Sequence, residues 1–324
     1  MFHILRLALM LLHLVVLLVL SSHLLAKDKP VNVGLSVWSG YPDSVKGFKA
    51  AMKDGGFIAG ESVHYVLGNS GGDKTKQKKI AQQFKAANVD LVYSLTTPGT
   101  VIIKETLPAS TPIIFSIVTY PADSGLIESF EYSGNNLVGT SNYVPLHHHV
   151  NLLQALLPKA KTVAIFHRKG EPNSQIQTAS LSRHFKRKGI KVLDQTPSTL
   201  KEVTTMATAL VGHIDAFVTT TDTLMQSGGE AALIKISLAN KIPILSSNKA
   251  GIENGATFGP VADFYTLGKM SGDMAVKVLR DKIEPTRLES QYQEPPITLL
   301  NKSSVEALGI QVPDSVRKRS KWIN

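Results

Sequence analysis

From Val31 onward, short runs of β-branched and aliphatic residues alternate with amphipathic stretches, and the alternation passes through the chain twice. The first pass predicts a buried strand over 31–37 and a helix over 42–55, with Val45, Phe48, Ala51 and Met52 on one face and Gly55-Gly56 at its end. It continues with a strand over 62–67, a helix over 73–87, a strand over 90–95, a helix over 98–107 and a strand over 112–116. The second pass predicts helices over 145–157, 173–188, 199–211 and 223–239. Between and after them lie strands over 162–167, 190–193, 215–219, 243–246 and near 256–258, then a helix over 263–279. Strict β–α alternation requires parallel sheets covered by helices on both faces. Two passes imply an α/β protein of two Rossmann-like lobes, a size that 324 residues accommodate.

The first segment is of another kind. Arg6 precedes an almost wholly apolar run over 7–20, followed by Ser21-Ser22-His23, Ala26 and the charged Lys27-Asp28-Lys29. That is the layout of a secretory signal peptide, read as residues 1–26 with cleavage after Ala26; an uncleaved anchor is the alternative. The chain has no cysteine, which excludes disulfides, thiolate metal sites and a lipid-anchored N-terminal cysteine. The expected location is therefore periplasmic. A formal net charge of +10 raises nucleic-acid binding, but the positive residues are dispersed. The densest group is Arg317, Lys318, Arg319 and Lys321, and no recognition motif accompanies it, so no nucleic-acid partner is expected.

In open α/β sheets, ligands bind outside the carboxyl ends of the strands. Those ends carry Trp38 and Ser39, Thr96 and Thr97, and Ser116 through Tyr120 in the first pass. The second pass supplies Asn173 and Ser174, Thr221 and Asp222, and Ser247 and Asn248. Hydroxyls ahead of helix N-termini favour an anion such as a carboxylate, and Asp222 can hold an ammonium group, so the set suits a small zwitterion. Trp38 and Tyr120 can stack on an aromatic or cationic ligand. Each Ser, Thr, Asn or Asp can equally serve as an N-cap for its own helix. If Asp222 binds a cation, Asp222→Asn is expected to weaken binding while changing stability little, because asparagine caps about as well.

Catalytic signatures are missing. There is no G-x-S-x-G elbow and no G-x-G-x-x-G fingerprint, and no cofactor is expected. Gly68 to Thr75 loosely suggests a phosphate loop, but Asp73 stands where a glycine is needed and would repel phosphate. His147-His148-His149 is read as a solvated helix start, because adjacent helical side chains point about 100° apart and cannot share one metal ion. No enzymatic activity is expected.

Several segments together resemble the ABC-transporter substrate-binding proteins of the tryptophan/tyrosine-type group, which have the type I periplasmic-binding fold. They are Gly72-Asp73-Lys74-Thr75 with Ile80-Ala81-Gln82-Gln83-Phe84, Thr96-Thr97-Pro98, and Pro112 through Thr119. Asp123-Ser124-Gly125-Leu126-Ile127, Gly170-Glu171-Pro172-Asn173-Ser174, Thr221-Asp222-Thr223 and Leu267 through Ala275 complete the set. The resemblance spans about 31–313. It implies two lobes that close on a ligand, one from 27–140 plus 252–285 and the other from 141–251 plus 286–324. It places ligand contacts at Thr96, Thr97, Ser116, Thr119, Asn173, Ser174 and Asp222. It also implies an ABC permease in the inner membrane as partner and a monomeric chain. Tyr120 and Asn248 stand where aspartate is common in the group. A sensory module that presents its ligand to a membrane receptor is the alternative role.

Overall fold

The computed structural model describes residues 29–323, so the expected signal segment lies outside the described residues. Two sheets form. The first has the strand order β11-β5-β4-β3-β1-β2 and the second β13-β12-β10-β9-β8-β6-β7. In chain order the strands are β1 (Val31–Val37), β2 (Val63–Asn69), β3 (Leu91–Leu95), β4 (Ile113–Ser116), β5 (Leu137–Ser141), β6 (Thr162–Phe166), β7 (Lys191–Gln195) and β8 (Ala216–Thr219). The series ends with β9 (Ile244–Leu245), β10 (Phe258–Val261), β11 (Gln291–Tyr292), β12 (Ile297–Asn301) and β13 (Lys321–Ile323). All pairings in the first sheet are parallel; in the second, only β10 with β12 is antiparallel.

Side-chain alternation along each strand divides the core into layers. Leu91 and Tyr93 join the cluster under helices Pro42–Asp54 and Phe264–Leu279, whereas Val92 joins the opposite face with Ile80, Phe84 and Ile103. In the second sheet, Val163 and Ile165 pack with Val150, Leu153 and Phe185, while Ala164 and Phe166 pack with Val203, Leu233 and Ile252. Both sheets are thus covered on both faces, and the expected two-lobed, hinged α/β architecture is the one observed.

The chain passes between the lobes after β5, after β10 and after β11. This divides the chain differently from the expected boundaries. β10, within the 252–285 segment assigned to the first lobe, pairs in the second sheet because it lies between β9 and β12. β11, within 286–324, pairs with β5 in the first sheet. The helix expected over 223–239 is broken at Ser227 and Gly228, whose φ of 126° no β-carbon-bearing residue readily adopts, and it restarts as Glu230–Asn240.

Candidate functional site

The carboxyl ends of the central strands of both sheets meet across one cleft. Thr119, following β4, places its Oγ1 3.0 Å from the Oγ1 of Thr221, following β8. Around this contact, Thr119, Tyr120 and Asn142 from one side and His149, Gln177, Thr221 and Ser247 from the other line a cavity of about 10 Å³, room for about one water. A wider cavity of about 610 Å³ also joins the lobes, with Ser39, Tyr41 and Phe264 facing Met225, Glu230 and Asn248.

Three non-glycine residues of the first lobe have left-handed φ at this cleft: Tyr41 at 63°, Thr96 at 70° and Ile117 at 56°. They lie after β1, β3 and β4. Such conformations cost roughly 1–3 kcal/mol each and concentrate at ligand clamps.

Several buried polar atoms near the cleft have no hydrogen-bond partner. In the first lobe one acceptor, Gln77 Oε1, lacks a partner; the others near the cleft are Trp38 Nε1, Ser39 Oγ, and the hydroxyls of Thr96, Thr97 and Tyr120. These others can all donate, and the indole can only donate. In the second lobe they include Asn173 Oδ1, Asn248 Oδ1 and Glu230 Oε2, which are acceptors. Buried polar groups are normally satisfied, so this concentration marks surfaces adapted to a further molecule.

The electrostatics agree with that division. Asp222, Glu171 and Glu230 are all buried at the second lobe's strand ends. Burial, and then the charge of Asp222, pushes the Glu171 carboxyl up to about 7. Burial likewise pushes Glu230 up to about 7, against three hydrogen bonds from Thr219, Ser246 and Asn248. Burial raises Asp222 too. The nearest guanidinium, that of Arg168, is 3.9 Å from Glu171 and is partly exposed. The second lobe therefore presents uncompensated acid to the cleft, a setting that favours a cation.

The individual residues have different local roles. Trp38 is buried; its carbonyl accepts from Gly72 N at 2.6 Å and Ser70 Oγ at 3.0 Å, which fixes the residue against the loop before helix Lys74–Ala86. Tyr120 packs edge-on against Tyr143 at 5.6 Å. Asn173 donates to Thr221 O at 2.7 Å, leaving its Oδ1 free. Thr221 is held by Gln177, which accepts from its N–H and hydroxyl at 2.9 Å each. Asn248 donates to Thr220 O and Glu230.

Asp222 accepts from Met225 N at 2.8 Å as a helix cap, from Arg168 N at 3.0 Å and from Thr220 Oγ1 at 2.8 Å. Two other expected contact residues have partners inside their own lobe. Ser116 shares its strand face with Ile114, so its hydroxyl points into the first lobe and bonds Thr140 at 2.9 Å. Ser174 donates to Glu171 O at 3.0 Å within its own helix turn.

Other residues at the cleft were not anticipated. His149, read as solvated, is buried and pairs with Ser247 Oγ at 3.1 Å through Nε2. It lies three residues after Leu146 and four before Leu153, on the apolar stripe of helix Leu146–Leu156, and that spacing was the available signal. Gln177 sits one helical turn past Asn173, on the same face of helix Pro172–Arg187. Glu171 lies inside the Gly170-Glu171-Pro172-Asn173-Ser174 segment without a mark of its own, and Glu230, at the start of helix Glu230–Asn240, has none.

Comparison with known proteins agrees with this geometry. The family profile for ABC transporter substrate binding protein matches residues 38–323. A protein named tyrosine-binding protein from Clostridioides difficile (strain R20291) is 31% identical over 286 residues, covering 87% of this chain and 82% of that protein. The structure of an ABC domain from Streptococcus pneumoniae in complex with L-Trp superposes with a TM-score of 0.86 at 25% identity, covering 91% of this chain and 100% of that one. The ligand-free, open structure of a Clostridium difficile substrate binding protein with adhesive properties gives a TM-score of 0.72 at 26% identity, over 91% and 99% of the two chains. At nearly equal identity and coverage the higher score falls to the liganded relative, in keeping with the contact of Thr119 with Thr221 across the cleft. By the extent of these matches and by its two-lobed fold, the chain belongs to the family of ABC transporter substrate binding proteins.

Proposed function

We propose that this protein captures an aromatic amino acid between its lobes in the periplasm and delivers it to the permease of an ABC importer. The observation that carries the reading is the split polarity of the cleft. Unpartnered donors prevail in the first lobe at Trp38, Thr96 and Thr97, against the one acceptor Gln77 Oε1, and buried acids with the unpartnered acceptors of Asn173, Asn248 and Glu230 lie in the second. A zwitterion laid across the cleft answers both, its carboxylate toward the first lobe and its ammonium toward Glu171 and Asp222. Trp38 and Tyr120 offer rings for an aromatic side chain. The relatives named for tyrosine and solved with L-Trp support the ligand class.

Asn173, Asn248 and Ser247 complete the second wall of the site in this reading, and Thr119 and Thr221 close it. The signal layout of residues 1–26 and the family's role support export and a permease partner. The test is native mass spectrometry of the protein purified without refolding, followed by calorimetry with L-tyrosine and L-tryptophan. A bound mass matching an aromatic amino acid, and saturable binding of one of them, is the expected result. A retained sugar or anion, with no response to amino acids, overturns the reading.

A further inference from the structure

Glu171 and Asp222 are held around a single turn of the second lobe. The Glu171 carboxylate accepts from the N–H of the Asp222–Thr223 peptide at 3.2 Å and from Thr223 Oγ1 at 2.6 Å. Asn173, two residues further on, donates its amide to the carbonyl of the Thr221–Asp222 peptide at 2.7 Å. A carbonyl can only accept, so the nitrogen end of Asn173 is fixed, and its Oδ1 is an unpartnered acceptor on a residue 3% exposed. Glu171 and Asn173 thus grip the peptides on either side of Asp222, and all three residues are buried.

The charges around this turn do not balance the two acids. Among the described residues, Arg168 is the one cation within 4.0 Å of either carboxylate. Its guanidinium donates to Thr223 Oγ1 at 2.6 Å, stands 3.9 Å from Glu171 and is partly exposed, so water screens it. His167 acts on Asp222 but is itself 2.9 Å from Asp194. Glu230 is a third buried acid, coupled to Asp222. From the first lobe, Tyr41 faces the pair across the cleft: burial, and then the charges of Glu171 and Asp222, raise its phenol pKa, so it stays neutral. The first lobe therefore covers the acids without bringing a positive charge to them.

Resting on the reading that the ligand carries an ammonium group, we infer that Glu171 and Asp222 gate closure, the first lobe covering them only when one positive charge, either a proton or the ligand's ammonium, neutralises the pair. Two like charges in one desolvated site cannot both stay ionised. The shift of Glu171 up to about 7, from burial first and Asp222 second, is the protonated form of that demand. An ammonium meets it more fully, because its three donors match Glu171, Asp222 and Asn173 Oδ1 together. The gate keeps the empty cleft open at neutral pH and rejects ligands of the right shape that lack the ammonium group.

The experiment is small-angle scattering and calorimetry on the wild type and Glu171→Gln at pH 5 and pH 8. Each protein is measured alone, with L-tyrosine or L-tryptophan, and with the desamino analogues of both. The ligand-free wild type should have a larger radius of gyration at pH 8 than at pH 5, and the amino acid it binds should restore the smaller radius at pH 8. Glu171→Gln, neutral throughout, should keep one radius at both pH values. The desamino analogues should bind the wild type about tenfold more weakly at pH 8 than at pH 5, the change in protonated fraction of a group titrating near 7. Their binding to Glu171→Gln should not change with pH. A wild-type radius or analogue affinity indifferent to pH overturns the gate and leaves the proposed function standing. So does a pH response that persists in Glu171→Gln, which would assign it to His167 or Glu230. Failure of the wild type to bind either amino acid overturns the proposed function and the gate together.

Discussion

Thr119 Oγ1 and Thr221 Oγ1 are hydrogen-bonded at 3.0 Å although they stand 102 positions apart, one in each lobe. Thr221 donates to Gln177 Oε1 in its own lobe and so accepts across the cleft, and Thr119 shares its one proton between Thr221 and Asn142 Oδ1 of its own lobe. Closing the cleft therefore joins two side chains that are already oriented, at little further entropic cost. Thr119→Val and Thr221→Val should each weaken ligand binding by about 1 kcal/mol, roughly fivefold, the net worth of one such bond. The double variant should lose less than the sum, because both substitutions remove the same bond. Calorimetry of the four proteins checks this; full additivity would show that the contact contributes nothing to closure.

Helices Pro42–Asp54 and Phe264–Leu279 approach backbone to backbone through Gly47, Gly268 and Gly272. A β-carbon at Gly268 would collide with the carbonyl of Ser44, and one at Gly47 with the carbonyl of Tyr265. Because the second helix arrives from beyond the second lobe, this packing is what returns the chain to the first. Gly268→Ala should cost about 3 kcal/mol, at the upper end of overpacking effects. Chemical denaturation would show a lower midpoint, and an unchanged midpoint would mean that the helices can separate freely.

The pH dependence of stability has two opposing parts. Glu171, held up to about 7, binds its proton more tightly folded than unfolded. Its contribution is present below about 4.5 and is lost as pH rises toward 7. Glu230 acts in the same sense. His149, pushed down to about 3, does the reverse: its contribution is present above about 6.5 and is lost as pH falls. The wild-type curve alone therefore does not isolate either group. In ligand-free melts from pH 5 to 8, Glu171→Gln should gain relative to wild type as pH rises. A constant difference across that range would place the Glu171 pKa near its ordinary value.

How much of this could be read from the sequence follows from the range over which each feature is determined. The alternation of strand and helix is local, and β1 was expected over the residues where it forms. Strand-end residues such as Trp38, Thr96, Thr119 and Thr221 follow from the rule for parallel sheets. Ser116 misled because the position of a strand end was read without its parity: counting in twos from Ile114 puts it on the interior face. β11 and β13, two and three residues long, depend on pairing with strands far away in the chain, and no local pattern marks them. Glu230 reaches the cleft because the chain breaks at Gly228 and restarts, a tertiary event that the Ser227-Gly228-Gly229 run only hints at.

Asp222 separates a structural role from a binding role, and the structure alters the outcome expected from capping alone. Asparagine can keep the cap, its Oδ1 accepting from Met225 N as the carboxylate does at 2.8 Å. The other oxygen accepts from Arg168 N at 3.0 Å and Thr220 Oγ1 at 2.8 Å. An amide nitrogen placed there would face the Arg168 N–H donor to donor and leave it buried and unsatisfied. Asp222→Asn should therefore cost about 1–3 kcal/mol of stability. A carboxylate has about four acceptor positions, and three are used, so one remains for a ligand ammonium. If it is used, the same substitution should also lower affinity for an amino acid by several kcal/mol. Glu171→Gln provides the comparison, since its carboxylate accepts from Thr223 N and Oγ1 only, with an amide able to keep one of these bonds. Melting and calorimetry on both variants distinguish the roles. Loss of stability without loss of affinity in Asp222→Asn would make Asp222 a structural cap and leave the ammonium to Glu171, whereas loss of both in Asp222→Asn and affinity alone in Glu171→Gln would show the two acids sharing it.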